Sequence, residues 1–163
     1  MKILVLSDAH KNLQNIKKVL NEAKYDYVLY LGDYVADILN FKSVLKDKLF
    51  IVKGNCDGDI NVDDDLLIEI ANKKIFLTHG HRYGVKLGIG KLLKKASEVN
   101  ADILLFGHTH IPLQTQIDNG LVVLNPGSVG KGALGNNTFG IVEIEQDNIT
   151  TKIFKVLRLC NIN

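Results

Sequence analysis

Short apolar runs that each end in a polar cluster recur along this chain of 163 residues, and they constrain its fold more than any other feature. Runs of this length, rich in Val, Ile and Leu, predict buried strands. The predicted strands span residues 2–6, 27–31, 49–52, 75–77, 103–106 and 121–124. Because ligand sites in open α/β sheets lie beyond the carboxyl ends of the strands, we expect the polar clusters to converge in space.

Helical periodicity between these runs predicts an α/β architecture. Apolar residues recur at helical spacing over 13–23, 38–45 and 85–99, although Gly84, Gly88 and Gly90 weaken the start of the third helix. Apolar runs separated by helices predict largely parallel strands. Alternating residues over 139–145 and 149–156 predict a hairpin, which we expect in a second sheet packed on the first. With no linker or repeat, we predict one domain over residues 1–163.

Composition excludes several classes of protein. Lys and Arg number 20 against 18 Asp and Glu, and no basic stripe is present, so nucleic acid is not indicated as a partner. No apolar run approaches the ~20 residues of a membrane helix, so no membrane partner is expected. Cys56 and Cys160 form no disulfide framework. The first residues are predicted as a strand and not as a signal peptide, so we expect a cytoplasmic protein.

Histidines supply the most specific chemical signal, because all five fall in three short clusters. Mixed nitrogen and oxygen ligands without thiolate suit Mn²⁺, Fe²⁺, Zn²⁺, Ni²⁺ or Mg²⁺. Seven candidates are too many for one ion with open positions, and they predict two divalent ions that share a carboxylate. Two ions about 3.5–4 Å apart hold a hydroxide and clamp a phosphoryl group. The candidate metal ligands are Asp8, His10, Asp33, Asn55, His79, His108 and His110.

These residues, in this order, resemble the signature of calcineurin-like metallophosphoesterases. The form Thr78-His79-Gly80-His81 and the short length are similar to the small bacterial and archaeal phosphodiesterases of that superfamily. The resemblance implies a two-sheet β-sandwich flanked by helices. The motifs that carry it are Asp8-x-His10, Gly32-Asp33, Gly54-Asn55-x-Asp57, His79, Gly107-His108-x-His110 and Asn125-Pro126-Gly127-Ser128.

The resemblance also implies a ligand set and a reaction. The reaction would be in-line attack on phosphorus by a hydroxide that bridges two ions, with manganese expected ahead of nickel, iron, zinc or magnesium. The substrate would be a small phosphodiester or phosphomonoester. Asp33 would bridge the two ions, and Asn55 would also touch the phosphoryl oxygen. The first ion would be held by Asp8, His10 and His110, and the second by Asn55, His79 and His108.

One departure from the family pattern affects the expected proton donor. Cys56 stands where many members have His, and a thiol is a poor hydrogen-bond partner for phosphate. His81 is the natural substitute because its ordinary pKa, near ~6.5, suits proton transfer. We therefore predict a phosphodiesterase with Asn55, Asp57 and His81 as catalytic candidates, Asp57 in a supporting role. Arg82 is a weaker candidate for holding a substrate phosphate.

Alternatives remain open at the sequence level. A phosphomonoesterase or nucleotidase is the alternative enzyme, and a non-catalytic scaffold, similar to one retromer subunit, is the alternative class. A homo-oligomer is an open alternative to a monomer. Gly130-x-Gly132-x-x-Gly135 matches a dinucleotide-binding pattern, but a predicted strand follows it, so we predict a loop. The acidic run Asp63-Asp64-Asp65 is also predicted as a solvated loop.

Overall fold

The computed structural model describes residues 1–156, which form two mixed five-stranded sheets flanked by helices. The first sheet has the order β10-β9-β1-β2-β3, and the second has the order β4-β5-β6-β8-β7. The strands are β1 (Lys2–Leu6), β2 (Tyr27–Tyr30), β3 (Leu49–Ile51), β4 (Asp65–Ile70), β5 (Lys73–Thr78), β6 (Ile103–Phe106), β7 (Leu113–Gln116), β8 (Val122–Asn125), β9 (Thr138–Glu145) and β10 (Asn148–Lys155). The helices are α1 (Leu13–Glu22), α2 (Val35–Leu39), α3 (Lys42–Leu45) and α4 (Gly90–Glu98). The predicted two-sheet α/β fold is confirmed.

Alternation of side chains along the central strands produces three apolar layers. Ile3 and Val5 of β1 face the second sheet, and Leu4 and Leu6 face the helices. The side chains of β6 alternate in the same way. Ile103 and Leu105 lie between the sheets, and Leu104 and Phe106 pack under α4. Both faces of each central strand are buried, which explains why these strands are apolar throughout. The two sheets therefore present their polar strand ends at a common edge.

The hairpin of β9 and β10 is confirmed, but its predicted place in a second sheet is wrong. Strand β9 pairs antiparallel with β1, so the end of the chain completes the first sheet. The second sheet is built from the middle of the chain, β4 to β8. Parallel pairs join β1 to β2, β2 to β3, β5 to β6 and β6 to β8, as predicted, whereas β4, β7, β9 and β10 pair antiparallel. Strand partners are long-range contacts, which local patterns do not specify.

Three local predictions also need correction. The predicted helix over 38–45 is two short helices that break near Asn40, and the third helix begins at Gly90 instead of residue 85. The acidic run is only partly a loop, because Asp65 opens β4. The segment of the GxGxxG pattern contains one 3₁₀ turn and no α-helix, so the predicted loop is confirmed.

No helix within residues 1–156 is long and apolar enough to cross a membrane. Cys160 lies outside the described residues, and Cys56 is a free, exposed thiol. The single domain over residues 1–163 and the cytoplasmic location stay predictions.

Candidate metal centre

Loops at four strand ends bring six of the seven predicted ligands to one edge of the sheets. These loops follow β1, β2, β5 and β6. Within the described part of the chain, the six side chains form two groups, and in each group the ligand atoms lie within 4.8 Å of one another. The first group is Asp8, His10 and His110, and the second group is Asp33, His79 and His108.

The first group is centred on one oxygen of Asp8. His110 Nε2 lies 3.1 Å from Asp8 Oδ1 and 3.1 Å from His10 Nε2. The second oxygen, Asp8 Oδ2, accepts hydrogen bonds from the Ser7 hydroxyl and from the backbone N–H of His108. The carboxylate is therefore held by one oxygen while the other faces the imidazoles.

The second group is centred on His79. Its Nε2 lies 3.5 Å from Asp33 Oδ1 and 3.2 Å from His108 Nδ1. Asp33 Oδ1 also accepts a hydrogen bond from the backbone N–H of Cys56. The groups approach each other at 4.0 Å between His79 Nε2 and Asp8 Oδ1, so they form one continuous centre.

Backbone carbonyls fix the tautomer of two imidazoles. His79 Nδ1 lies 2.7 Å from the carbonyl of Leu31, and His110 Nδ1 lies 2.9 Å from the carbonyl of Lys131. A carbonyl only accepts, so each Nδ1 carries a proton and donates. Nε2 of both rings is then directed into the centre. This arrangement, with the outer nitrogen donating to a carbonyl, is typical of metal-binding histidines.

The donor set fits divalent cations. Asp8 Oδ1 is fully buried and has no hydrogen-bond partner in the described structure, although two imidazole nitrogens lie near it. A buried carboxylate oxygen without a partner costs free energy unless a cation satisfies it. Two such groups of carboxylate and imidazole ligands match the preferences of Mn²⁺, Fe²⁺, Zn²⁺ and Ni²⁺.

Backbone strain is concentrated at the ligands. A left-handed conformation costs a non-glycine residue roughly 1–2 kcal/mol, and such strain persists where the surrounding structure enforces it, often at functional sites. The predicted ligands with positive φ are Asp8 (56°), His10 (46°), Asp33 (60°), His108 (67°) and His110 (58°). Glycine would relieve this strain but would remove the ligand side chain.

The charges of the second group are coupled. Burial favours the neutral acid of Asp33, but its hydrogen bond and charge interaction with His79 hold the pKa of Asp33 well below its usual range. Burial lowers the pKa of His79, and Asp33 and Asp8 overcome this effect and raise it. A proton on His79 thus offsets the buried carboxylates when no cation is bound. Burial and the charge of His79 then lower the pKa of His108 to about 4.

The two histidines of the first group are partly exposed, and their pKa values shift in opposite directions. The adjacent Asp8 carboxylate raises the pKa of His110, whereas burial and the charge of His110 lower the pKa of His10.

The predicted catalytic candidates lie around the second group. Asp57 accepts hydrogen bonds from the backbone N–H groups of Asp33, Gly54 and Val35, at 2.7–2.9 Å. It therefore orients the loop that carries Asp33. Gly54 has no room for a side chain, because a Cβ there would collide with the Asp33 carboxylate.

Asn55 and His81 differ in their contacts. The exposed Asn55 amide donates to Cys56 Sγ at 3.4 Å, and its metal-binding role stays a prediction. The His81 ring centroid lies 5.4 Å from that of His79 and 6.1 Å from that of His108. Arg82, in contrast, pairs with Asp64.

Two residues that support this centre were not predicted as site residues, although Ser128 belongs to a motif that carries the family resemblance. The buried Tyr30 hydroxyl accepts from the backbone N–H of Ala9 at 3.2 Å and donates to the carbonyl of Asp33 at 2.6 Å, so it links the first two ligand loops. Ser128 Oγ donates to the carbonyl of Asp8 at 2.7 Å. The sequence gives no distinctive signal for Tyr30, because strand β2 also contains Tyr27.

Comparison with known proteins identifies the class to which this fold and centre belong. The family model described as the calcineurin-like phosphoesterase superfamily domain matches residues 1–147. The chain is a member of this calcineurin-like phosphoesterase family, as its sequence motifs predicted.

Three known proteins are similar to this chain in sequence or in fold. A probable metallophosphoesterase of Bacillus subtilis is 32% identical over 158 residues, covering 94% of this chain and 90% of that protein. A phosphodiesterase of Methanocaldococcus jannaschii is 32% identical over 166 residues, covering 90% of this chain and 95% of that protein. In fold, the chain is similar to a single-substitution variant of Vps29 from Entamoeba histolytica, with a TM-score of 0.79 at 24% identity and coverage of 97% and 94%.

Proposed function

We propose that this protein is a phosphodiesterase that depends on two divalent metal ions, manganese first among them. The observation that carries the proposal is the buried Asp8 Oδ1, which lacks a hydrogen-bond partner within residues 1–156 and lies between imidazoles of both groups. When bound, the two ions supply a water-derived nucleophile at neutral pH and positive charge for the phosphoryl transition state. The relative from Methanocaldococcus jannaschii supports a phosphodiester over a monoester.

The chain's own residues prepare this centre in three ways. The carbonyls of Leu31 and Lys131 orient the ligand imidazoles, and Asp57 orients the loop of Asp33. Asp33 is the proposed shared carboxylate, as the family resemblance implies, and its Oδ1 lies 3.5 Å from His79 Nε2. Rigid support of this kind keeps ligands at the geometry that the reaction needs.

We infer that His81 donates the proton to the leaving group. Its ring lies beside both imidazoles of the second group, and its buried Nδ1 has no hydrogen-bond partner among the described residues. Cys56 is a poor acid, because partial desolvation and the nearby Asp33 carboxylate raise the pKa of its thiol to about 11. His81→Gln should slow the hydrolysis of esters with poor leaving groups more than that of p-nitrophenyl esters, because p-nitrophenolate departs without needing a proton.

The test is hydrolysis of bis-p-nitrophenyl phosphate and p-nitrophenyl phosphate by metal-stripped protein with and without added Mn²⁺. We expect Mn²⁺-dependent cleavage, faster for the diester. Asp33→Asn should abolish turnover, while the matched surface variant Asp118→Asn should retain it. Faster monoester cleavage would replace the proposal with a phosphomonoesterase. No turnover with two ions bound would replace it with a metal-binding scaffold.

A further inference from the structure

A cavity of about 480 Å³ adjoins the metal centre on the side of the second sheet. Its walls are mainly apolar and include Val85, Ile89, Phe106 and Leu113. This volume falls within the roughly 300–1,000 Å³ of small-molecule sites. We call it the side cavity.

The walls of the side cavity are continuous with both histidine loops. Thr109, which lines the cavity, stands between the proposed ligands His108 and His110. On the other loop, a Cβ at Gly80 would lie 3.0 Å from Val85 and 3.6 Å from Phe106. Both wall residues therefore pack against the residue that directly follows His79, and an occupant of the cavity sits next to the metal centre.

Charge and exposure distinguish this cavity from a packing defect. Lys86 lines it and is exposed, and Thr109 of the same lining stands between His108 and His110. Ile111, also in the lining, is 60% exposed although it is a large apolar side chain. The cavity thus combines apolar walls, an exposed apolar rim and a cation close to the place where a phosphoryl group is proposed to bind.

We propose that the side cavity binds an apolar or aryl ester substituent of the substrate, while Lys86 attracts the phosphoryl charge. The inference rests on the proposed function and adds a substrate class to it. A phosphodiester has an anionic centre and two organic substituents, and the cavity is complementary to an apolar one. Burial of that group removes apolar surface from water, which favours aryl esters over methyl esters.

Phenylphosphonate and methylphosphonate test the cavity without a chemical step, because their carbon–phosphorus bonds are not cleaved by ester hydrolysis. Calorimetric titration of each into the full-length, Mn²⁺-loaded protein measures binding. We expect phenylphosphonate to bind about tenfold more tightly. Ile111→Asp should remove most of this preference, and Lys86→Gln should weaken both phosphonates to a similar degree.

Val44→Asp is the matched control for Ile111→Asp, because Val44 is an apolar, β-branched residue of α3 that is 75% exposed and outside the cavity lining. It should leave the preference unchanged. Equal binding of the two phosphonates, with metal-dependent diester hydrolysis intact, would overturn the cavity inference alone. Absence of binding together with absence of hydrolysis would overturn the proposed function and the inference with it.

Discussion

The two ligand groups of the metal centre have similar donors but different surroundings. Asp33 and His79 in the second group are buried, with 3% and 0% of their side chains exposed. In the first group Asp8 is equally buried, but His110 is 24% exposed and His10 is partly exposed. The difference predicts a more firmly held ion in the second group and a more readily exchanged ion in the first, because only His108 is partly exposed in the second group whereas both histidines are partly exposed in the first.

Metal removal should have the largest effect. A ligand at 1,000 times its dissociation constant stabilises the native state by about 4 kcal/mol. For a chain of this size, removal of the ions should therefore lower Tm by roughly 10 °C. Calorimetry of metal-loaded and stripped protein checks this value. A chelator titration followed by elemental analysis should release one equivalent well before the second. Release of both together would contradict the proposed difference between the groups.

Substitution of one histidine in each group tests the same asymmetry. His79→Gln should lower diesterase activity more than about a hundredfold and reduce bound metal below one equivalent, because His79 contacts both carboxylates. His10→Gln should retain the ion of the second group. Bound manganese per chain and the rate of bis-p-nitrophenyl phosphate cleavage measure both effects. Equal metal loss in the two variants would contradict the proposed difference in metal retention between the two groups.

Asp57→Ala should destabilise the second group through its loop. The substitution leaves three backbone N–H groups without their acceptor, and we expect a loss of about 2–3 kcal/mol in the free energy of unfolding. Urea denaturation of the metal-free protein measures this loss separately from metal binding. Asp59→Ala, at an exposed position of the same loop, is the control and should change the free energy of unfolding little.

Tyr30→Phe should have the smallest effect and should act on both groups. It removes the hydroxyl that links the loops of Asp8 and Asp33, at a cost of about 1 kcal/mol in unfolding free energy and roughly tenfold in metal affinity. Tyr25→Phe, on a partly buried tyrosine away from the centre, is the control. A change in stability with no change in metal affinity would assign Tyr30 to packing alone.

Much of the fold and centre follows from local sequence. The apolar runs predict the central strands because both faces of β1 and β6 are buried, and the polar cluster after each strand predicts where its ligands lie. The missed strands β4 and β7 are half-exposed and border the second sheet, so their periodicity is weak. The break near Asn40 was missed because apolar periodicity continues across it.

Local sequence alone specifies the chemical groups of this centre, namely the carboxylates and imidazoles, their positions at strand ends, and hence the metallophosphoesterase family. The family resemblance implied how the ligands divide between two ions. The tertiary structure brings each group together, with His10 beside His110 across 100 residues. It also decided that the last hairpin joins β1, that Tyr30 links two loops, and that an apolar cavity adjoins the histidines. Each of these depends on contacts between distant segments, and their energies arise only when the sheets pack together.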